Sequence, residues 1–242
     1  MAFDYNGSSD VSKSSSSPIT ATAFTMAGFV YSDTTATTQY AFGIQDSASN
    51  KGWRIGFNST ALILQCTGAS TQNTQSAGNA AAGTWMHLGM VCSSATSRAL
   101  YKNGSSLATG TASITPSGIN EVRIGAGTNA AGAASAYWDG GIGHVGLWSV
   151  ALTAAEMAEL SGGKDPRAVR AGSLVAYWPL GAPFGLTTGD MLGGYSLDTI
   201  PAERAQKPRI YFPGIDATTT IYTAPPAGGG SVYGMLLMGC GT

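Results

Sequence analysis

Short segments rich in Val, Ile, Leu and aromatic residues recur along the chain at 20–31, 39–44, 52–57, 61–66, 85–92, 98–102, 121–124, 136–148 and 173–180, separated by runs of Gly, Ser, Thr and Asn. Many short strands with turn chemistry between them describe a two-sheet antiparallel sandwich or a barrel. In 85–92, Met86, Leu88, Met90 and Cys92 fall on one strand face, and Trp85, His87, Gly89 and Val91 on the other. Both faces are largely apolar, as expected of a strand central to a sandwich. Asn103-Gly104 tolerates positive φ at both central positions of a type I′ turn and predicts a hairpin there.

One helix stands out against this background. Thr153 can cap the amide of Glu156 while the Glu156 side chain reaches back, and Gly162 can end the helix, so a short helix is predicted over 154–161. Glu156 and Glu159 thereby acquire ordinary helical roles. After Leu180 the texture changes to Gly, Pro and Thr with isolated apolar islands, and Pro225-Pro226 and the glycines at 228–230 argue against a second core. The expected organisation is a β-sandwich over 1–180 and an extended arm over 181–242 that packs on the sandwich or on a neighbouring subunit. Ile210, Tyr211, Phe212, Leu236 and Leu237 are the apolar groups by which such an arm would make assembly contacts.

Composition sharpens this picture. With 43% hydrophobic residues the 242-residue chain can bury a large core, yet only 10% of it is charged and 34 residues are glycine. A chain so poor in charge solvates itself with hydroxyls and backbone, which favours strands over long amphipathic helices. Lys+Arg of 12 against Asp+Glu of 13 gives a net charge of −1 with no basic stripe, so nucleic acid is not an expected partner. Cys66, Cys92 and Cys240 cannot all pair within one chain and form no C-x-x-C motif; Cys66 and Cys92 each end an apolar run and read as buried thiols. The opening residues lack a basic region followed by an apolar one, so synthesis in a host cytoplasm without a secretory signal is expected. No apolar run approaches the ~20 residues of a membrane span, so no membrane is expected as a partner.

Three stretches taken together resemble the laminin-G-like and pentraxin-like branch of the concanavalin A-like superfamily. They are Gly83-Thr84-Trp85-Met86-His87-Leu88-Gly89-Met90-Val91 with Leu100-Tyr101-Lys102-Asn103-Gly104, then Trp138-Asp139-Gly140-Gly141-Ile142-Gly143-His144-Val145-Gly146-Leu147-Trp148 with Ala151-Leu152-Thr153 and Glu156-Met157, and finally Val175-Ala176-Tyr177-Trp178-Pro179-Leu180. The resemblance covers about residues 3–180 and implies an all-β, two-sheet antiparallel jelly-roll. Members occur in extracellular matrix, in secreted lectins and in the virions of tailed phages. Calcium-binding members use clustered acidic and carbonyl ligands, and no full set of these matches any position here, so no cofactor is assigned.

Candidate chemistry is sparse. The E-x-D-x-x-E strand of the superfamily's glycoside hydrolases is absent, and the close pair Glu156 and Glu159 sits on the helix, so no catalytic residues are assigned and an enzyme is not expected. His87 and His144 lie in separate strands with no second histidine nearby and read as structural. Asp139, which could bind calcium, reads as a turn former. Among the tryptophans, Trp53 and Trp138 are the candidates for glycan contacts through exposed ring faces. The expected function is a non-enzymatic structural virion protein of a tailed phage, such as a capsid decoration or another head or tail component. Its partners would be other virion proteins and copies of itself. The alternative is a carbohydrate-binding adhesin on a phage tail or bacterial surface.

Overall fold

In the computed structural model the described residues are 2–76, 78–181, 190–192 and 194–198. The strands are β1 (Phe3–Asn6), β2 (Ser12–Lys13), β3 (Phe24–Tyr31), β4 (Gln39–Gln45), β5 (Gly52–Asn58), β6 (Ala61–Thr67), β7 (Thr71–Ser76), β8 (Trp85–Ser94), β9 (Ser97–Lys102), β10 (Ser105–Gly110), β11 (Glu121–Ile124), β12 (Gly127–Thr128), β13 (Ala134–Ser135), β14 (Asp139–Trp148) and β15 (Leu174–Trp178), with helix α1 at Ala154–Ser161. One sheet runs β1-β14-β3-β8-β9-β10 with β15 also on β14; the other runs β2-β11-β4-β5-β6-β7, and β12 pairs with β13 as a separate hairpin. All pairings are antiparallel, and the two large sheets stack as a jelly-roll sandwich.

The alternation predicted for 85–92 is what places β8 centrally. Met86, Leu88, Met90 and Cys92 point into the core between the sheets, while Val91 on the other face packs in a second cluster with Met157 and Leu160 of α1. Asn103 and Gly104 both adopt positive φ, 48° and 81°, and close the β9–β10 hairpin as the type I′ signal requires. The helix begins with the predicted capping box: Thr153 Oγ1 accepts from the Glu156 amide, and Glu156 Oε2 accepts from the Thr153 amide at 2.7 Å. Cys66 and Cys92 are buried free thiols, and burial pushes the Cys66 thiol up to about 11.

Of the arm expected over 181–242, the described residues 190–192 and 194–198 lie on the sandwich. Leu197 is 4% exposed and belongs to the core, Trp178 Nε1 donates to the Tyr195 carbonyl at 2.7 Å, and Asp190 Oδ1 accepts from the Tyr177 amide at 2.7 Å. Leu197 also bridges to Ser14, so residues 197–198 lie against β2 at the sheet edge. Residues 190–192 and 194–198 therefore pack on their own sandwich; the assembly candidates Ile210, Tyr211, Phe212, Leu236 and Leu237, and Cys240, lie outside the described residues. The expectation that needs correction concerns the glycan candidates. Trp53 is 1% exposed and packs edge-on against Phe24 at 5.2 Å, and Trp138 is fully buried against Phe57 at 5.0 Å, donating through Nε1 to the Tyr31 carbonyl. Trp53 shares the inward face of β5 with Ile55 and Phe57, so its ring fills the core and offers no face to a sugar.

Candidate functional site

The outer face of the six-stranded sheet carries polar groups that alternate with the core residues. Cross-strand pairing sets Glu121 beside Gln45, and Arg123, Gly43, Arg54 and Gln65 in the next row. A charged residue alternating with Trp53 and Ile55, or with Val122 and Ile124, would ordinarily be solvated. Here the β12–β13 hairpin lies over it, and Arg54 and Arg123 are only 2% and 4% exposed.

The hairpin is held down by its own carbonyls. Arg54 donates to the Thr128 carbonyl at 3.0 Å and to the Asn50 carbonyl, and its guanidinium stands 5.4 Å from the Tyr40 ring centroid. Arg123 donates through Nε to Glu121 Oε1 at 2.6 Å and through a terminal nitrogen to the Gly127 carbonyl at 3.3 Å. Gln45 completes the set, its Oε1 accepting from Thr128 Oγ1 and its Nε2 facing Glu121 at 3.5 Å. Residue 127 is glycine because its backbone lies flat on Tyr40: a Cβ there would meet the ring at 2.5 Å. Burial, followed by the neighbouring Arg123, pulls the Arg54 guanidinium below its ordinary value, and the Tyr40 ring opposes this. Buried cations so placed are stabilised by the fixed carbonyls and carboxylate around them.

Beyond that closed half, an open polar space lies at the end of the sheet. A cleft of about 390 Å³ is lined by Lys13, Ser14, Ser15, Ser47, Asn120, Glu121 and Asp198. Its floor is Glu121, the residue that Arg123 holds. One wall is β2, fixed to β11 by the Ser14 hydroxyl, which accepts from the Val122 amide at 3.0 Å. The same wall is joined by the 197–198 segment: Lys13 N donates to Asp198 Oδ1 at 3.0 Å, and Lys13 Nζ lies 3.9 Å from Asp198 Oδ2. The opposite wall is the β4–β5 turn. Asp46 accepts from the Ser49 hydroxyl at 2.6 Å and the Ala48 amide at 2.9 Å, bonds that hold its carboxyl below the ordinary value, and Asn120 Oδ1 accepts from the Ser47 amide at 2.9 Å. Such side-chain-to-backbone turns set loop shape before any ligand arrives.

Lys13, Ser15, Ser47, Asn120 and Asp198 are exposed, so the cleft offers a cation, a carboxylate, an amide and hydroxyls within one concavity, with no aromatic among its lining. This array can donate and accept hydrogen bonds to a hydroxyl-rich ligand. Among the described residues no three His, Cys, Asp or Glu side chains gather to hold a metal ion. His87 on β8 and His144 on β14 lie on either side of β3 and make separate contacts: His87 is buried beside Phe29, and His144 shares a 2.6 Å hydrogen bond with the Tyr177 hydroxyl. None of the seven lining residues is evident from sequence alone. The available signals were local only, the turn-forming Asp46-Ser47-Ala48-Ser49-Asn50 and the serine run at 14–17; Asp198 carries none.

A profile described as the concanavalin A-like lectin/glucanases superfamily matches residues 6–158, more than half of the chain. The chain belongs to this superfamily. Solved structures of the same fold include a heptameric SAP-like pentraxin from Limulus polyphemus, with a TM-score of 0.57, 17% identity, and coverage of 81% of this chain and 90% of that one. A putative carbohydrate-binding protein from Bacteroides ovatus aligns with a TM-score of 0.55 at 18% identity, covering 84% of this chain and 61% of that one. The CBM40 of the Ruminococcus gnavus IT-sialidase, bound to α2,3-sialyllactose, aligns with a TM-score of 0.52 at 12% identity, covering 59% and 83%. A search of curated proteins returns no match. No helix among the described residues is long and apolar enough to cross a membrane.

Proposed function

We propose that this member of the superfamily is a non-catalytic carbohydrate-binding module that takes a hydroxyl-rich glycan in the cleft at the β2–β11 end of the six-stranded sheet. The observation that carries the reading is the cleft itself, a preformed concavity lined by seven polar residues and braced by side-chain hydrogen bonds on both walls. Its volume lies within the range of small-ligand sites. The lectin-like and carbohydrate-binding proteins that share the fold support the same reading. The non-catalytic reading is supported by the pairing of several carboxylates with cations: Glu121 with Arg123, Asp198 with Lys13, Glu156 with Arg170 and the helix cap, and Asp165 with Arg167. Glycoside hydrolysis needs two carboxyl groups positioned across one bond. The few-charge, hydroxyl-rich sequence with its Gly-, Pro- and Thr-rich C-terminal stretch supports placing the module on a tailed-phage particle, as an adhesin or a structural component of the virion.

The test is a glycan array with the full chain, followed by calorimetry on the best ligand. Asn120→Ala and Lys13→Ala should each weaken binding about tenfold, the effect of losing one or two hydrogen bonds to a polar ligand. Trp85→Ala, outside the cleft, should leave the affinity unchanged. Unchanged affinity in both cleft variants would place the site elsewhere. Release of reducing sugar that Asp198→Asn abolishes would make the protein an enzyme.

A further inference from the structure

The edges of the two sheets are not treated alike. A strand at a sheet edge presents unpaired N–H and C=O groups, and folded proteins blunt such edges with shortness, bulges, charge, proline or a covering segment. At one end of the six-stranded sheet, β2 has two residues and is joined by 197–198. In the other sheet, β10 is interrupted by a bulge between Ser106 and Ala108 and follows Gly104, which lies against Ala158 of α1. Beside β14, β15 is bonded on its far side by Asp190 and Met191, and β1 is four residues long. The β12–β13 pair is two residues per strand.

Among the described residues the exception is β7. Thr71–Ser76 pairs with β6 in unbroken register, from Thr67↔Thr71 to Leu62↔Ser76, and ends the sheet. Its sequence, Thr-Gln-Asn-Thr-Gln-Ser, contains no charge, no proline and no glycine, and none of the other edges combines that length with that regularity. β10 lies alongside it without joining its ladder.

We infer that β7 is an assembly edge, and that its partner is the β7 of a second copy, paired antiparallel across a two-fold axis. The choice of partner follows from composition. In any antiparallel register this strand sets Thr, Gln, Asn and Ser opposite one another, so no like charges meet, whereas a charged foreign strand would find no complement here. The net charge of −1 adds little repulsion between copies. The resulting twelve-stranded sheet leaves the β2 edges at its two far ends, roughly 50 Å apart at the ordinary strand spacing.

The test is the mass of the full chain in solution by light scattering across a concentration series, with hydrogen exchange read on residues 71–76. A dimer is expected, with exchange in this segment slowing as concentration rises. Asn73→Lys/Gln75→Lys adds two positive charges to the strand and should weaken association about tenfold or more, while an unaltered circular dichroism spectrum reports a folded monomer. Ser105→Lys/Ser106→Lys, on the bulged edge, should leave the dimer intact. A chain that stays monomeric overturns the proposal, as does a dimer indifferent to the β7 lysines. A monomer whose β7 amides are protected at every concentration also overturns it, because a segment of the same chain would then cover the edge.

Discussion

On the seven-stranded sheet, part of the outer face is covered by α1 and the segments on either side of it, through Leu152, Met157, Leu160 and Val169 packed in one cluster with Ala27, Val91 and Tyr101. On the six-stranded sheet the cover is a hairpin of two-residue strands that contributes almost no apolar surface and is fastened instead by Arg54, Arg123, Gln45 and Thr128. The two covers fail in different ways. An apolar cover gains from area and is indifferent to direction, so it tolerates changes of shape. A cover held by buried guanidinium groups depends on every donor finding its acceptor, and removal of one partner leaves the others desolvated and unpaired. The polar cover is also the one that reaches the cleft: Glu121 belongs to the ion pair beneath the hairpin and to the cleft floor, so the network that holds the hairpin also sets the position of the proposed ligand seat.

The largest expected effect follows from that shared residue. Arg123→Ala leaves the Glu121 carboxylate, 6% exposed at its side chain, without its cation, and should cost about 3–5 kcal/mol in urea unfolding. Replacing both partners, as Glu121→Leu/Arg123→Met, should recover most of the loss, because the penalty belongs to the orphaned charge. If Arg123→Ala costs less than about 1 kcal/mol, the hairpin is held mainly by something other than this network and the contrast between the covers collapses.

The seven-stranded side should be the source of an acid sensitivity. His87 faces outward from β8 beside Phe29, and burial pushes its imidazole down to about 3; His144, on β14, is pushed down to about 4 by the same cause. Each folded-state value lies below the ordinary 6.5, so the folded protein keeps these rings neutral while the unfolded chain binds protons. Stability from each ring is therefore fully present above pH 6.5 and is lost as pH falls toward the folded-state value. For one histidine this is about 1.4 kcal/mol per pH unit, or roughly 2 kcal/mol between pH 6.5 and 5. His87→Gln should reduce the slope of stability against pH by one proton over that window, read from urea midpoints at several pH values. An unchanged slope would mean that His87 is protonated in the fold.

These features differ in how far they could be read from sequence, and the difference is one of range. The Asn103-Gly104 turn, the alternation of 85–92 and the Thr153–Glu156 capping box are set by neighbours a few residues apart, and each appears where the local pattern predicts it. The hairpin over Arg54 and Arg123 brings residues 127–135 onto strands as distant as 52–58, and Gly-Thr-Asn-Ala-Ala-Gly-Ala-Ala-Ser has no periodicity to announce it. Leu197 likewise reaches the core across the whole length of the chain from Ser14. Trp53 and Trp138 could be mistaken for sugar platforms because composition shows aromatic rings and only the strand face decides their direction. The cleft combines four remote pieces, residues 13–15, the 46–50 turn, Asn120 and Glu121 at the start of β11, and the 197–198 segment, so its parts acquire a common purpose only in the folded chain.

The smallest effect tests how much the apolar cover depends on direction at all. Thr153 Oγ1 accepts from the Glu156 amide at 3.3 Å, while Glu156 returns the bond to the Thr153 amide at 2.7 Å and also accepts from Arg170 at 2.6 Å. Thr153→Ala removes the first bond and the 2.9 Å bond that the same hydroxyl donates to Glu156 Oε2, and leaves the other two, and an N-cap hydroxyl contributes about 1 kcal/mol. Most of the helix stability comes from Met157 and Leu160 seated in the second core cluster, which the substitution does not touch. The variant should therefore lose about 1 kcal/mol, with faster hydrogen exchange confined to the first turn at 154–157, and Thr153→Ser should restore both because serine caps at least as well. Binding in the distant cleft should not change. A loss of 3 kcal/mol or more, with exchange spreading through Ser161, would show that α1 is anchored through its cap, and the apolar cover would then be as dependent on direction as the hairpin across the sandwich.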